Sequence, residues 1–353
     1  QRRFYENLIK TRPDLAERVI VENPEDKKEN NLKQKLLNGN IHYMKEHGGR
    51  TVRTRIRSTI KAKKEFEEVG RKVRVHLPIP KVYEQVSNVE IHASNPEITY
   101  VAPFDAPQRT VYFETELKEN QEFMVDYSFD YHVNYVELDP AKVSEEQPDF
   151  CLEEQTPHIV FTPYLRELRD ELAGDETNPI ILARRFYDFV TTKVMYSFMR
   201  EYFTIECIPE YCAINLKGDC GVQALLFITL CRMSGIPARW QSGLYVTKYY
   251  TGCHDWAQFY VAPYGWVFAD PSFGGSAWRA GEKERWNYYF GNLDIFRMPA
   301  NSEIQKEFMP EKKWLRIDPI DNQRGEFEYE DHGLRFSQLD VSQKLISMED
   351  IEK

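Results

Sequence analysis

The 353-residue chain has only six cysteines, at positions 151, 207, 212, 220, 231 and 253. That is far too few for a disulfide-stapled scaffold of this length, so each must be judged singly. No stretch approaches the ~18 consecutive apolar residues that a membrane-spanning helix needs. No charged-then-apolar leader precedes a small-residue cleavage site, although a chain starting at Gln1 is compatible with a removed leader and leaves the compartment open. A cationic surplus is also missing. The 56 acidic side chains against 46 basic ones give a formal charge of −10, which repels phosphate backbones and anionic lipid head groups alike. Nucleic acid is therefore not an expected partner. There is no internal repeat and no low-complexity tract. What is present is core material: 42% hydrophobic residues and 14% aromatic, the latter mainly 21 Tyr and 21 Phe. Global disorder is excluded on that composition, and the length exceeds what one core usually organises, so two or three units are expected.

Four regions follow from the patterning. Residues 1–48 read as a helical lead-in, with Phe4, Leu8, Leu15 and Val19 at near-helical spacing. Over 49–140 the period changes to two, as in Val52-Arg53-Thr54-Arg55-Ile56-Arg57, Val73-Arg74-Val75-His76-Leu77 and Thr110-Val111-Tyr112-Phe113-Glu114-Thr115, which predicts an antiparallel all-β sandwich. Arg53, Arg55 and Arg57 project from one strand face, as a solvated outer surface or a docking stripe for an anionic partner. Residues 141–157, with prolines among many acids, read as a linker. Helical periodicity returns at Leu165–Leu172 and Ile180–Val194, opening a catalytic domain over 158–353.

The informative stretch runs from Lys217-Gly218-Asp219-Cys220-Gly221 to Gly235-Ile236-Pro237. Asp219 is an N-cap and Gly235 and Pro237 supply a stop, so one helix begins at Cys220. Val222, Leu225, Leu226, Phe227, Ile228 and Leu230 make it apolar on nearly every side, which predicts burial. A thiol in the first turn of such a helix is near unpaired amides and the positive end of the dipole, which favour thiolate. Taken alone, Cys220 reads equally as a small buried apolar side chain. Cys231, deeper on the same helix, is expected to be inert, and neither Cys151 nor Cys253 has a helix start to activate it. Cys207 and Cys212 lack the paired short motifs of a structural zinc site, so no metal or other cofactor is expected.

Residues 253–271 read as strand, tight turn at Ala262–Gly265, and strand. Folding that hairpin sets His254 opposite a residue near 270–273, which puts Asp270 within reach. Asp255 is nearer in sequence, but consecutive strand residues point to opposite faces, so it is not expected to orient the ring it follows. A strand histidine alone is more often structural. A helix-initiating Cys, a strand His and an Asp at the end of the paired strand together supply nucleophile, base and orienting group for thiol acyl transfer.

Three fragments carry a family resemblance: Gly218-Asp219-Cys220-Gly221, His254-Asp255-Trp256-Ala257-Gln258-Phe259-Tyr260 and Trp266-Val267-Phe268-Ala269-Asp270-Pro271-Ser272. They resemble the core motifs of the transglutaminase-like superfamily, relatives of the papain-type fold. The resemblance covers about residues 180–275 and implies an α+β fold: a buried helix bearing Cys on an antiparallel sheet bearing His and Asp, preceded by a sandwich as in bacterial members. It assigns nucleophile, base and orienter to Cys220, His254 and Asp270. Tyr289-Phe290-Gly291-Asn292-Leu293-Asp294 is similar to a segment that follows the core in those members. Cross-linking members carry Trp directly after the nucleophile, where this chain has Gly221, and Gln258 and Ser272 stand where acidic and Thr residues are common. The bacterial hydrolase-like branch fits better, in the cytoplasm or the cell envelope.

The expected activity is thus a cysteine-dependent amide or peptide hydrolase acting on a peptide or protein through a thioester. Glutamine transamidation and a catalytically silent binding protein are the alternatives. The Cys220 backbone N–H is the expected oxyanion donor and Tyr196 a second one, while Trp240, Tyr245 and Trp278 are candidate walls of a substrate cleft. Nothing in the sequence speaks to oligomeric state.

Overall fold

The computed structural model describes residues 8, 11–15 and 24–351; Phe4 and Val19 of the predicted lead-in lie outside these. The chain gathers into two compact units. One holds the described residues up to Gly48 together with Asn134–Trp240 and Asp255–Asp294; the other holds Gly49–Val133, Gln241–His254 and the described residues from Ile295 onward.

In chain order, helix α1 (Pro24–His47) precedes strands β1 (Gly49–Ala62), β2 (Lys72–Pro78), β3 (Val86–Asn95), β4 (Tyr100–Val101), β5 (Thr110–Glu116) and β6 (Phe123–Asn134). Helices α2 (Pro163–Ala173) and α3 (Pro179–Lys193), strand β7 (Met195–Tyr196), helix α4 (Ile208–Asn215), strand β8 (Lys217–Gly218) and helix α5 (Cys220–Met233) follow. Then come β9 (Ala238–Val246), β10 (Thr251–Val261), β11 (Gly265–Ala269), helices α6 (Pro271–Arg279) and α7 (Lys283–Tyr288), and β12 (Phe290–Gly291), β13 (Arg297–Asn301), β14 (Glu326–Tyr329) and β15 (Leu339–Asp350).

The second unit contains the predicted sandwich, built from two four-stranded sheets in the orders β15-β1-β6-β3 and β14-β2-β5-β4. The alternation read from the sequence is the reason. In β1, Val52, Thr54, Ile56, Ser58, Ile60 and Ala62 are buried while the residues between them face outward. The inner faces meet where Phe123 of β6 packs edge-on against Phe113 of β5 and Phe327 of β14, each at 5.6 Å between ring centres. On the outer face the arginine row is answered within its own sheet. Arg53 reaches Asp130 at 2.8 Å, and Arg55 and Arg57 reach Asp126 at 2.7 and 2.8 Å.

Two boundaries differ from the sequence reading. The C-terminal residues assigned to the catalytic domain over 158–353 supply β14 and β15 to the sandwich, and β15 runs antiparallel along β1 from Val52↔Asp350 to Ala62↔Leu339. Pairing at that chain separation leaves no local signal, and without it β1 would present an open edge. The stretch 141–157 has no strand and groups with the first unit. It is tied there by Ser144 N to Ala262 O at 3.0 Å, by Ala262 N to the Gln147 side chain at 2.9 Å, and by Arg232 to the Glu153 carbonyl at 2.8 Å.

The first unit is organised around α5, which is buried from Cys220 through Arg232. β10 and β11 form the predicted hairpin, in register from Val261↔Gly265 to Ala257↔Ala269, and β12 adds through Ala269↔Phe290. This small sheet packs on the helix: Phe227 meets Phe259 at 5.7 Å, and Phe259 stacks on Phe290 at 5.3 Å. The segment Tyr289–Asp294 thereby closes the sheet edge, with the Tyr289 carbonyl accepting from Asp270 N at 3.0 Å. Among the described residues, no helix is long and apolar enough to cross a membrane.

Candidate active site

Asp219 caps α5 by accepting from Val222 N at 3.3 Å, which fixes Cys220 in the first turn. Just upstream, β7 and β8 form a two-residue parallel bridge pairing Tyr196 with Gly218. That bridge delivers the Tyr196 phenol to Cys220, with which it is hydrogen-bonded. Gly218 sits in a tight place, since a Cβ there would come within 2.5 Å of Val222. Tyr202, six residues past Tyr196, donates its hydroxyl to the Asp219 carboxylate.

From the sheet side comes a group that sequence reasoning set aside. Strand alternation points Asp255, Ala257, Phe259 and Val261 to one face, and Phe259 shows that this face looks at α5. Asp255 heads that row, and its Oδ2 accepts the Cys220 thiol at 3.1 Å. Strand parity turns Asp255 away from the side of the neighbouring imidazole and toward the face that the apolar helix covers, which is the signal the sequence holds for it. Gly221 makes the approach possible. A Cβ at that position would sit 2.5 Å from Tyr202 Oη, 2.8 Å from Asp255 Oδ2 and 2.9 Å from the Trp240 ring. The space that a tryptophan would need after the nucleophile is already filled.

The electrostatics reverse the sequence expectation of a thiolate. Cys220 is 8% exposed, and its thiol is pushed well above the ordinary cysteine range, first by burial and then by the charges of Asp255 and Asp219. A helix N-terminus contributes at most ~2 kcal/mol toward the anion, whereas desolvation together with a like charge moves a buried group by several pK units. The second pair of effects is the larger here, and it raises the thiol. Tyr196 is raised as well, by Cys220 first, then burial, Asp219 and Asp255. Tyr202 is raised by burial and then by the same acids. Cys231 is fully buried and raised by burial alone.

Asp270 is completely buried one residue beyond the β10–β11 ladder, where it caps α6 by accepting from Phe273 N at 3.0 Å and from the Ser272 hydroxyl at 3.1 Å. His254 belongs to the other unit as its last residue before β10 passes into the first. It is buried there, edge-on to Tyr245 at 6.4 Å, with its carbonyl accepting from the Gln323 side chain at 3.1 Å. Of the candidate cleft residues, Trp240 is buried beside Gly221, Tyr245 is buried among His254, Phe296 and Arg297, and Trp278 is half-exposed against Trp286 at 4.6 Å. Cys253 has a feature the sequence did not signal: its sulfur accepts from Arg324 Nε at 3.2 Å. Among the described residues, no group of three or more His, Cys, Asp or Glu side chains could hold a metal ion.

A helix-starting cysteine over an antiparallel hairpin that ends in Pro-flanked Asp270 lies within residues 166–271, and these residues match the model of the transglutaminase-like superfamily. The segment is a transglutaminase-like core. No curated protein matches the chain. Among solved structures, a protein described only as a candidate cysteine protease from Cytophaga hutchinsonii aligns at 14% identity and a TM-score of 0.49, over 86% of this chain and 98% of that one. The periplasmic domain of TgpA from Pseudomonas aeruginosa aligns at 14% identity and a TM-score of 0.37, over 70% of this chain and 96% of that one.

Proposed function

We propose that the protein is a cysteine-dependent amide or peptide hydrolase working through a thioester, with Cys220 as nucleophile, His254 as base and Asp270 as the group that orients the imidazole. The observation that carries this reading is the sulfur of Cys220 at the start of the buried helix of a transglutaminase-like core, with a phenol hydrogen-bonded to it. With burial and two neighbouring acids raising the thiol, attack calls for a base in the same step. His254 takes the thiol proton as the sulfur bonds to the carbonyl carbon. The C–N bond then breaks and the amine leaves with the proton from the imidazolium. Water, deprotonated by the same imidazole, attacks the thioester carbon; the C–S bond breaks, the acid leaves, and the sulfur takes the proton back from the imidazolium. The Cys220 backbone N–H and the Tyr196 hydroxyl are the groups proposed to hold the carbonyl oxygen as its charge develops. Trp240, Tyr245 and Trp278 are proposed to flank a peptide or protein substrate.

The test uses p-nitrophenyl acetate as acyl donor, with acid quench and mass spectrometry. Acetyl-Cys220 is expected in the wild type, none in Cys220→Ala, and formation slower by ~10²–10⁴-fold in His254→Ala. Absence of acylation at Cys220, or an unchanged rate without His254, overturns the assignment. Incorporation of dansylcadaverine into casein faster than casein is hydrolysed would move the activity to transamidation.

A further inference from the structure

We propose that Tyr202 is a positioning residue for the nucleophile: its phenol grips the carboxylate of Asp219 that caps α5, and so holds the first helical turn, with the Cys220 sulfur on it, in place for attack. The inference rests on the reading of Cys220 as the nucleophile. Asp219 Oδ1 accepts from Val222 N at 3.3 Å, slightly longer than the usual N–H···O range, and the Tyr202 hydroxyl donates to the same oxygen. A cap that reaches its helix so loosely gains from a second donor that fixes the direction of the carboxylate. Residue 221 is a glycine, and a Cβ there would stand 2.5 Å from Tyr202 Oη. The hydroxyl therefore lies against the first turn, and it reaches the cap because position 221 carries no side chain.

Tyr202 is itself delivered by a segment anchored at both ends. Upstream, Met195 N donates to Leu216 O at 2.8 Å and Ser197 N to Gly218 O at 3.1 Å, which makes the β7–β8 bridge. Downstream, Tyr202–Thr204 forms one 3-10 turn, closed by Thr204 N to Glu201 O at 3.0 Å and Ile205 N to Tyr202 O at 2.9 Å, with Ile205 buried. The tyrosine as a whole is half-buried, with its hydroxyl end inward. Burial first, then the charge of Asp219, raises the phenol well above its ordinary value, so it stays a donor at neutral pH. The hydroxyl is the sole donor of a tyrosine side chain, so Tyr202→Phe keeps the ring and its packing and removes the bond to the cap. Placement matters at this level: a displacement of about 1 Å from the reactive geometry costs up to ~10²-fold in rate.

The experiment follows acetylation of Cys220 by p-nitrophenyl acetate and its alkylation by iodoacetamide in the full chain, by mass spectrometry, for the wild type, Tyr202→Phe, Asp219→Ala and the double variant. Tyr202→Phe should acylate about tenfold more slowly at saturating ester, with the half-saturating concentration unchanged within about twofold. A frayed first turn should also let Cys220 alkylate several-fold faster, while Cys231, deeper in the same helix, stays unlabelled; labelling of both sulfurs would mean general loosening and overturns the proposal. Because Tyr202 acts through Asp219, the double variant should be no slower than Asp219→Ala, whereas a hydroxyl that supports the fold independently gives losses that add. An unchanged acylation rate in Tyr202→Phe, or additive losses, overturns the proposal. Should Asp219→Ala fail to fold, Asp219→Ser, which keeps a capping oxygen on a shorter arm, takes its place in the cycle. If the wild type is not acylated at all, the hydrolase reading falls and alkylation decides this one alone: faster labelling of Cys220 in Tyr202→Phe supports it, and an unchanged rate refutes it. Equal acylation in the wild type and Tyr202→Phe leaves the hydrolase reading standing and removes this one.

Discussion

Asp126 in the sandwich and Asp255 in the transglutaminase-like core are both buried carboxylates on β-strands, yet they do opposite things to their surroundings. Burial pushes the Asp126 carboxyl up, but Arg55 and Arg57 outweigh it and hold the group below its ordinary range. Its charge is answered on the spot, and the guanidinium stems cover the strand. Asp255 accepts the Cys220 thiol, and its charge helps to raise that thiol. A buried acid held by two guanidinium groups serves the fold, whereas one in contact with a candidate nucleophile bears on its chemistry.

The contrast can be broken in three places. Gly221→Val should have the largest effect. It forces a branched side chain into the space of Tyr202, Asp255 and Trp240, and should cost about 3 kcal/mol by urea unfolding; a smaller loss than ~1 kcal/mol would show that the cluster yields easily. Asp126→Ala comes next, at about 1–2 kcal/mol near neutral pH for lost charged hydrogen bonds from half-exposed partners. The sign of its pH dependence is fixed by the lowered folded pKa. The contribution is present above the unfolded carboxyl value of ~3.9 and disappears as pH falls through the folded one. The stability gap between wild type and variant should therefore close below about pH 4, as read by chemical unfolding at successive pH values. Smallest is Arg53→Ala, whose partners Asp130 and Glu90 lie nearer solvent; the expected loss is below about 1 kcal/mol and fades in high salt.

Local grammar was readable. The Asp219 cap, the apolar sweep to Leu230 and the Gly235–Pro237 stop predict a helix from Cys220, and the helix runs Cys220–Met233. Two-residue alternation predicts the strands of the sandwich, and Ala262–Gly265 marks the hairpin turn. What stayed hidden depends on distance in the chain. Asp255 has meaning only once α5 lies over its face, and Arg324 reaches Cys253 from a segment with no pattern pointing there. The upward shift of the Cys220 thiol stayed hidden for a related reason. A helix end is visible in sequence, whereas the depth of burial and a second acid arriving from another strand are not.

The partnership of β1 with β15 also governs how the molecule can be made. At ~5–20 residues per second, the ribosome releases the Val52–Ile60 row tens of seconds before Leu339–Asp350 exists to cover its flank. During that interval the nascent sandwich offers a naked hydrogen-bonding rim to any other chain. Synthesis of this protein is therefore exposed to aggregation until the strand that covers that rim has been translated.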